Sequence, residues 1–229
     1  MSLIVPSPVD RECVSIEPSF TIPAEILDSP GSFTKTPYQG SIPAGEPYLV
    51  TRIAERLFHP ESGWGSEAGA VFGSAVHEVL RGRDPGCIIQ EFGIDREDQQ
   101  AKLYTISEEL WSLPILSGVS EIKKELAFFV MIKNVPLTGR IDLIVRLACG
   151  TWMVVDYKSE NIPAHDLAQK ESYRFQVEIY RRAAEILGMR PIQGALYSVY
   201  EKTLTELDPW TDEELLMVLK AAGELKECE

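Results

Sequence analysis

Apolar positions along this chain follow two periods, and the change from one to the other sets the order of its elements. Phe72, Val76, Val79 and Leu80 recur at helical spacing, which predicts a helix from about Glu67 to Arg81 with Ser66 as its N-cap. His77 lies beside that stripe. Upstream, residues 48–58 read as a short helix, followed by a break from Gly63 to Gly65. Residues 95–112 predict a further helix, rich in Asp, Glu and Gln at its start. The period then falls to two. Glu121 to Ile132 reads as a strand and Asn134-Val135-Pro136 as a turn. Leu137 to Leu147 reads as a second strand, with Ile141, Leu143 and Val145 alternating against Arg140, Asp142 and Ile144. After a tight turn at Cys149-Gly150, Thr151 to Lys158 reads as a third strand, and Met153-Val154-Val155 marks it as buried. Connections this short predict an antiparallel meander.

Helical spacing returns from about Asp166 to Leu187 and ends at Gly188, with Pro191 just beyond. Ile192 to Tyr200 predicts a fourth strand, parallel to its neighbour because a long helix intervenes. Residues 211–226 read as an amphipathic helix with Thr211 as N-cap and Asp212, Glu213 and Glu214 in its first turn. The expected class is α/β: a mixed central sheet, made of a three-stranded antiparallel meander plus a strand after a crossover helix, flanked by helices.

Composition changes this picture in three places. Residues 1–47 hold eight of the fifteen prolines, which forbids a long helix and predicts an extended arm or linker ahead of a single domain over residues 48–229. The formal net charge of −13 argues against a free-standing nucleic-acid binder, whose grip on phosphate comes from Lys and Arg. It leaves open a metal-dependent enzyme, since clustered carboxylates are what divalent cations require. Finally, Cys13, Cys87, Cys149 and Cys228 are too scattered for a zinc site or a local iron–sulfur cluster. No apolar run reaches membrane-spanning length, and no basic start precedes an apolar leader, so a cytoplasmic protein without membrane contact is expected.

The residues with chemistry cluster on the meander. Cleaving a phosphodiester requires charge neutralisation at the phosphate, an activated water and a stabilised leaving oxygen. Asp142 and Asp156 lie on adjacent strands, so their carboxylates can converge on a cation such as Mg²⁺. Lys158 shares a strand face with Asp156, and Tyr157 points the other way. Lys158 can serve the attacking water or the phosphate. The alternative is a pair of surface acids with a lysine as their ion-pair partner. Gln176 and Tyr180 stand four apart on one helix face, which Tyr173 and Gln169 extend. Glu125 can act as an auxiliary acid or as a solvated strand residue, and Arg140 and Arg174 as phosphate contacts or ordinary ion-pair partners.

Asp142 followed by Asp156-Tyr157-Lys158 resembles the acid, acid-x-lysine signature of the PD-(D/E)XK nuclease core. Gly73-Ser74-Ala75-Val76-His77 resembles the helical histidine motif of RecB-like nucleases, and Gln176-Val177-Glu178-Ile179-Tyr180 resembles their Q-x-x-x-Y motif. The ordered set is similar to the C-terminal nuclease domain of RecB and AddA helicase–nucleases. The resemblance implies a restriction-endonuclease-like core and an Mg²⁺-dependent deoxyribonuclease, with Mn²⁺ also compatible with the histidine. It implies catalytic roles for Asp142, Asp156 and Lys158. It implies metal ligation by His77, Asp142, Asp156 and the Tyr157 carbonyl, and a substrate border at Gln176 and Tyr180. The implied activity is exonucleolytic, on single-stranded DNA fed by a helicase domain or subunit in recombination and repair. A stand-alone RecB-like exonuclease and a non-catalytic nuclease-fold interaction module are the alternatives. Relatives with an iron–sulfur cluster carry one cysteine before the core and three grouped after it; Cys13 and Cys228 stand alone, so no cluster is expected. The sequence has no Walker A motif, so no ATPase is expected in it.

Overall fold

Lys158 and the residues around it owe their position to a sheet whose central strand changes faces halfway along. A computed structural model describes residues 48–58 and 67–226. The expected arm over residues 1–47, the break from Gly63 to Gly65, the Ser66 cap, Cys13 and Cys228 lie outside the described residues. In chain order the elements are β1 (Tyr48–Leu49), α1 (Val50–Phe58), α2 (Glu67–Arg81), α3 (Pro85–Phe92) and α4 (Glu97–Trp111). They continue with β2 (Glu121–Ile132), β3 (Val135–Arg146), β4 (Trp152–Lys158), α5 (Ala164–Gln169) and α6 (Glu171–Ile186). The last three are β5 (Ile192–Ser198), β6 (Thr203–Leu207) and α7 (Asp212–Lys226).

The strands form one mixed sheet in the order β1-β3-β4-β5-β6, with β2 paired along β3. The β2–β3–β4 meander is antiparallel, and β5 runs parallel to β4 after the helical crossover. A core beneath α1, α6 and α7 holds Ile53, Phe128, Ile141, Phe175, Ile179 and Leu215 on one face. The other face, beneath α2, α3 and α4, buries Phe72, Ile88, Leu103, Leu143, Val155 and Tyr197. Helices therefore cover both faces, as the alternation of periods predicts. No helix among the described residues is long and apolar enough to cross a membrane.

Several elements depart from the sequence reading. Helix α3 was not anticipated, although Asp84 caps it by accepting from the Cys87 N–H at 2.9 Å, Pro85 opens its first turn and Gly93 closes it at φ 62°. Strand β6, antiparallel to β5, and the two-residue β1, parallel to β3, are further additions. The expected helix over 166–187 starts earlier and breaks at Lys170, whose extended backbone separates α5 from α6 and takes Gln169 off the helix of Gln176. The hairpin turn is at Lys133 and Asn134, both at positive φ, rather than at 134–136. At α7 the expected cap forms: Thr211 Oγ1 accepts from the Glu214 N–H, and the Glu214 carboxylate accepts from the Thr211 N–H.

The strict alternation expected over residues 140–145 also needs correction. A regular strand sends Ile141 and Leu143 to the same face. Here Ile141 packs in the core under α6, while Leu143 packs in the opposite core and Ile144 takes the α6 side. Strand β2 changes faces at the same place. Leu126, opposite Ile141, packs on the α6 side. Lys124, opposite Leu143, turns to α2 and donates to the Leu80 carbonyl at 2.7 Å. Register is identical on either side of the exchange. Glu125 falls between these pairs and adopts φ 53°, a left-handed conformation uncommon for a side-chain-bearing residue. The exchange lets one pair of strands fill two cores, and it leaves Glu125 and Asp142 at the crossing point.

Candidate active site

Pairing between β3 and β4 ends at Leu143 and Val155. Beyond it the strands part, and the Asp142 carboxylate occupies the gap: its Oδ2 accepts from the Tyr157 N–H at 2.9 Å. Its other oxygen, Oδ1, lies 3.3 Å from Nδ1 of His77, presented by α2. Glu125 completes this corner. The donor atoms of His77, Glu125 and Asp142 all lie within 4.8 Å of one another. Glu125 is also 3.5 Å from the Arg140 guanidinium, which is exposed.

On the α6 side, Asp156 and Lys158 share a face of β4. Lys158 Nζ stands 2.7 Å from Asp156 Oδ2 and donates to Gln176 Oε1 at 3.1 Å. Asp156 is 5 % exposed, and its Oδ2 has no hydrogen bond of good geometry despite the nearby ammonium. The Tyr157 side chain points to the other core, against the rings of His77 and Tyr197, with its hydroxyl buried and unpartnered. Tyr180 is buried edge-on to Phe128, its centroid 5.8 Å away. Arg174 pairs with Glu171 on its own helix.

The expected residues thus fall into two adjoining groups. His77 and Asp142 meet with Glu125, while Asp156, Lys158 and Gln176 form a chain of contacts beside them. Glu125, left open by the sequence, stands in the first group. Its sequence signal was weak, one of two acids in the charged first half of β2, and its backbone strain emerges only in the fold.

The electrostatics follow from crowding. Burial pushes the Asp156 carboxyl above its usual range, and the Asp142 charge adds to this against the pull of Lys158. Burial likewise raises Glu125, with Asp142 again adding. Burial opposes the His77 imidazolium, but the hydrogen bond and charge of Asp142 outweigh it and raise that pKa. Burial lifts the Tyr157 and Tyr180 phenols well above their ordinary value, with the site carboxylates adding to the rise.

The Glu125 and Asp142 carboxylates, with donor atoms within 4.8 Å of each other, repel. Here a third, Asp156, is buried nearby with an oxygen lacking a hydrogen bond. Such a donor set of hard oxygens plus one imidazole suits a divalent cation of the Mg²⁺ or Mn²⁺ kind.

Comparison with known proteins agrees with this chemistry. Residues 51–223 match the family model of the PD-(D/E)XK nuclease superfamily. An ATP-dependent helicase/nuclease subunit from Oceanobacillus iheyensis is 29% identical over 118 residues, which cover 43% of this chain and 9% of that protein. The match therefore takes in only a small fraction of that relative. A solved structure from Eubacterium rectale, provisionally named an exonuclease, shares the fold with a TM-score of 0.51 at 12% identity, over 77% of each chain.

Proposed function

We propose that this chain, which belongs to the PD-(D/E)XK nuclease superfamily, is a nuclease module that hydrolyses single-stranded DNA from an end, with Mg²⁺, beside a helicase in recombination or repair in the cytoplasm. The observation that supports the reading is the meeting of Asp142, Glu125 and His77 with the Asp156–Lys158–Gln176 chain where β3 and β4 part. The helicase partner is drawn from the likeness to a helicase/nuclease subunit.

In this reading Asp142, Asp156 and His77 hold the cation, with the Tyr157 carbonyl and Glu125 completing the donor set. The chemistry a divalent cation supplies at such a site is charge neutralisation at the phosphate and acidification of water. Lys158 holds the attacking water or a phosphate oxygen through its N–H donors. Gln176 keeps that ammonium in place from α6. Tyr180 lines the site below, and the Tyr157 N–H fixes the angle of the Asp142 carboxylate.

The deciding experiment is a nuclease assay on linear and circular DNA, single- and double-stranded, with Mg²⁺ or Mn²⁺. Linear single strands are expected to be degraded and circles spared. Asp156→Ala and Lys158→Ala are each expected to lower the rate by at least about 100-fold, the scale of losing a principal catalytic group. Unchanged cleavage in both variants overturns the site. Absence of metal-dependent cleavage in the wild type, alone and with a helicase, favours an interaction module; vigorous cleavage without a partner favours a stand-alone exonuclease.

A further inference from the structure

The Lys158 ammonium has three N–H donors and no acceptor. Asp156 Oδ2 takes one direction at 2.7 Å and Gln176 Oε1 another at 3.1 Å. The Tyr173 ring packs against the same ammonium, its centroid 4.0 Å from Nζ. Tyr173 and Gln176 are three apart near the start of α6, so one helix face presents the ring and the amide together. Lys170, at the break between α5 and α6, lies 5.1 Å from the same ring and pairs with Glu160. The Lys158 side chain is only 14% exposed, and a cation over an aromatic face is held most firmly where water is scarce.

We propose that Tyr173 is a positioning residue for the reaction: its ring face fixes the Lys158 ammonium beside Asp156. The inference rests on the nuclease reading above. A free lysine side chain samples many rotamers, and holding its ammonium in one place needs contacts that restrain it. Asp156 and Gln176 restrain the ammonium from two directions and the ring flanks it, which leaves an N–H for the attacking water or a phosphate oxygen. The restraint comes from the negative face of the ring, so phenylalanine preserves it and an aliphatic side chain does not.

The test uses the full chain. In ¹H–¹³C spectra of cation-free protein labelled at lysine, the Lys158 Hε protons, assigned by their loss in Lys158→Ala, are expected upfield of other lysines because of the ring current. Tyr173→Phe keeps that shift and Tyr173→Leu abolishes it. With Mg²⁺ and linear single-stranded DNA, Tyr173→Leu is expected to lower kcat about tenfold, or ~1.4 kcal/mol. KM stays within about twofold, and Tyr173→Phe restores kcat to within about twofold, since only a transition-state interaction has changed. Lys158 protons at an ordinary position in the wild type overturn the proposal. So does a Tyr173→Leu kcat like that of the wild type. Undiminished cleavage by Lys158→Ala overturns the nuclease-site reading and the proposal with it, and the spectral shift, still present in the wild type, then tells the two failures apart.

Discussion

Glu125 shows how a single residue carries cost and chemistry together. It sits at φ 53° at the gap in the β2–β3 ladder, with its carboxylate beside that of Asp142, so backbone strain and like-charge repulsion coincide. Its link to the exposed Arg140 offsets little of this. Glu125→Gln is therefore expected to raise the melting temperature of cation-free protein at pH 8 by about 2–4 °C, the shift for roughly 1 kcal/mol at this chain length. It should also weaken metal-dependent cleavage; a lower melting temperature would show that the Arg140 pairing outweighs the repulsion. Asp156, Glu125 and His77 all have raised pKa values in the folded state. The folded protein therefore binds these protons more tightly than the unfolded chain, and stability falls as pH rises through the raised values. Carboxyls held below their usual range, such as those of Glu109, Asp212 and Glu214, act in the opposite sense but only at lower pH. Thermal melts with chelator should thus give a higher midpoint at about pH 5.5 than at pH 8.5. A flat profile would mean that the three groups are not crowded in solution.

At the scale of elements, the approach of α6 to the sheet brings Gln176 within reach of Lys158. Gly194 on β5 makes that approach possible: a Cβ there would meet Val177 Cγ1 at 2.5 Å. Gly194→Ala is expected to destabilise the protein by about 1–3 kcal/mol, as overpacking does, measured by urea denaturation. A wild-type midpoint would show that α6 can retreat freely, and the Lys158–Gln176 contact would then be loose. Elements with an uninterrupted apolar pattern, such as α2 and β4, are legible in the sequence for that reason. Helix α3 carries cap signals in Asp84-Pro85 and Gly93, but only eight residues separate those caps, too few for a clear period. The break at Lys170 has neither Gly nor Pro to mark it.

Across the whole molecule, α6 also anchors the far side of the fold. Glu178, 3% exposed, accepts from Arg181, Arg182 and the Trp210 N–H. Arg182 reaches on to the Trp210 carbonyl and to Asp212, and Lys133 of the β2–β3 turn meets Asp212 as well. One buried carboxylate thus ties the helix bearing Gln176 to α7 and to the hairpin. Glu178→Ala removes the acceptor that Arg181 and Arg182 share, although Glu185 and Asp212 still pair with them, and is expected to cost about 1–3 kcal/mol in a denaturation experiment. A loss below about 1 kcal/mol would mean that the arginines find water instead. The net charge of −13 leaves little general attraction for a polyanion, so binding should rest on few phosphate contacts at the site itself and change only modestly with salt.

The sequence by itself determined the meander, the parallel fourth strand and a set of candidate residues for chemistry, but not α3, β1, β6 or the break at Lys170. Period and connection length are local properties of a chain. Each short motif is local too, and their resemblance to the nuclease family is why His77, Asp142, Asp156-Tyr157-Lys158, Gln176 and Tyr180 stand out in the sequence. Only the tertiary structure decided which of them touch. The exchange of faces at Glu125 and Asp142 depends on two cores competing for adjacent apolar residues. The ring of Tyr173 reaches Lys158 because α6 crosses the end of β4. Such contacts join residues far apart in the chain, and no local period records them.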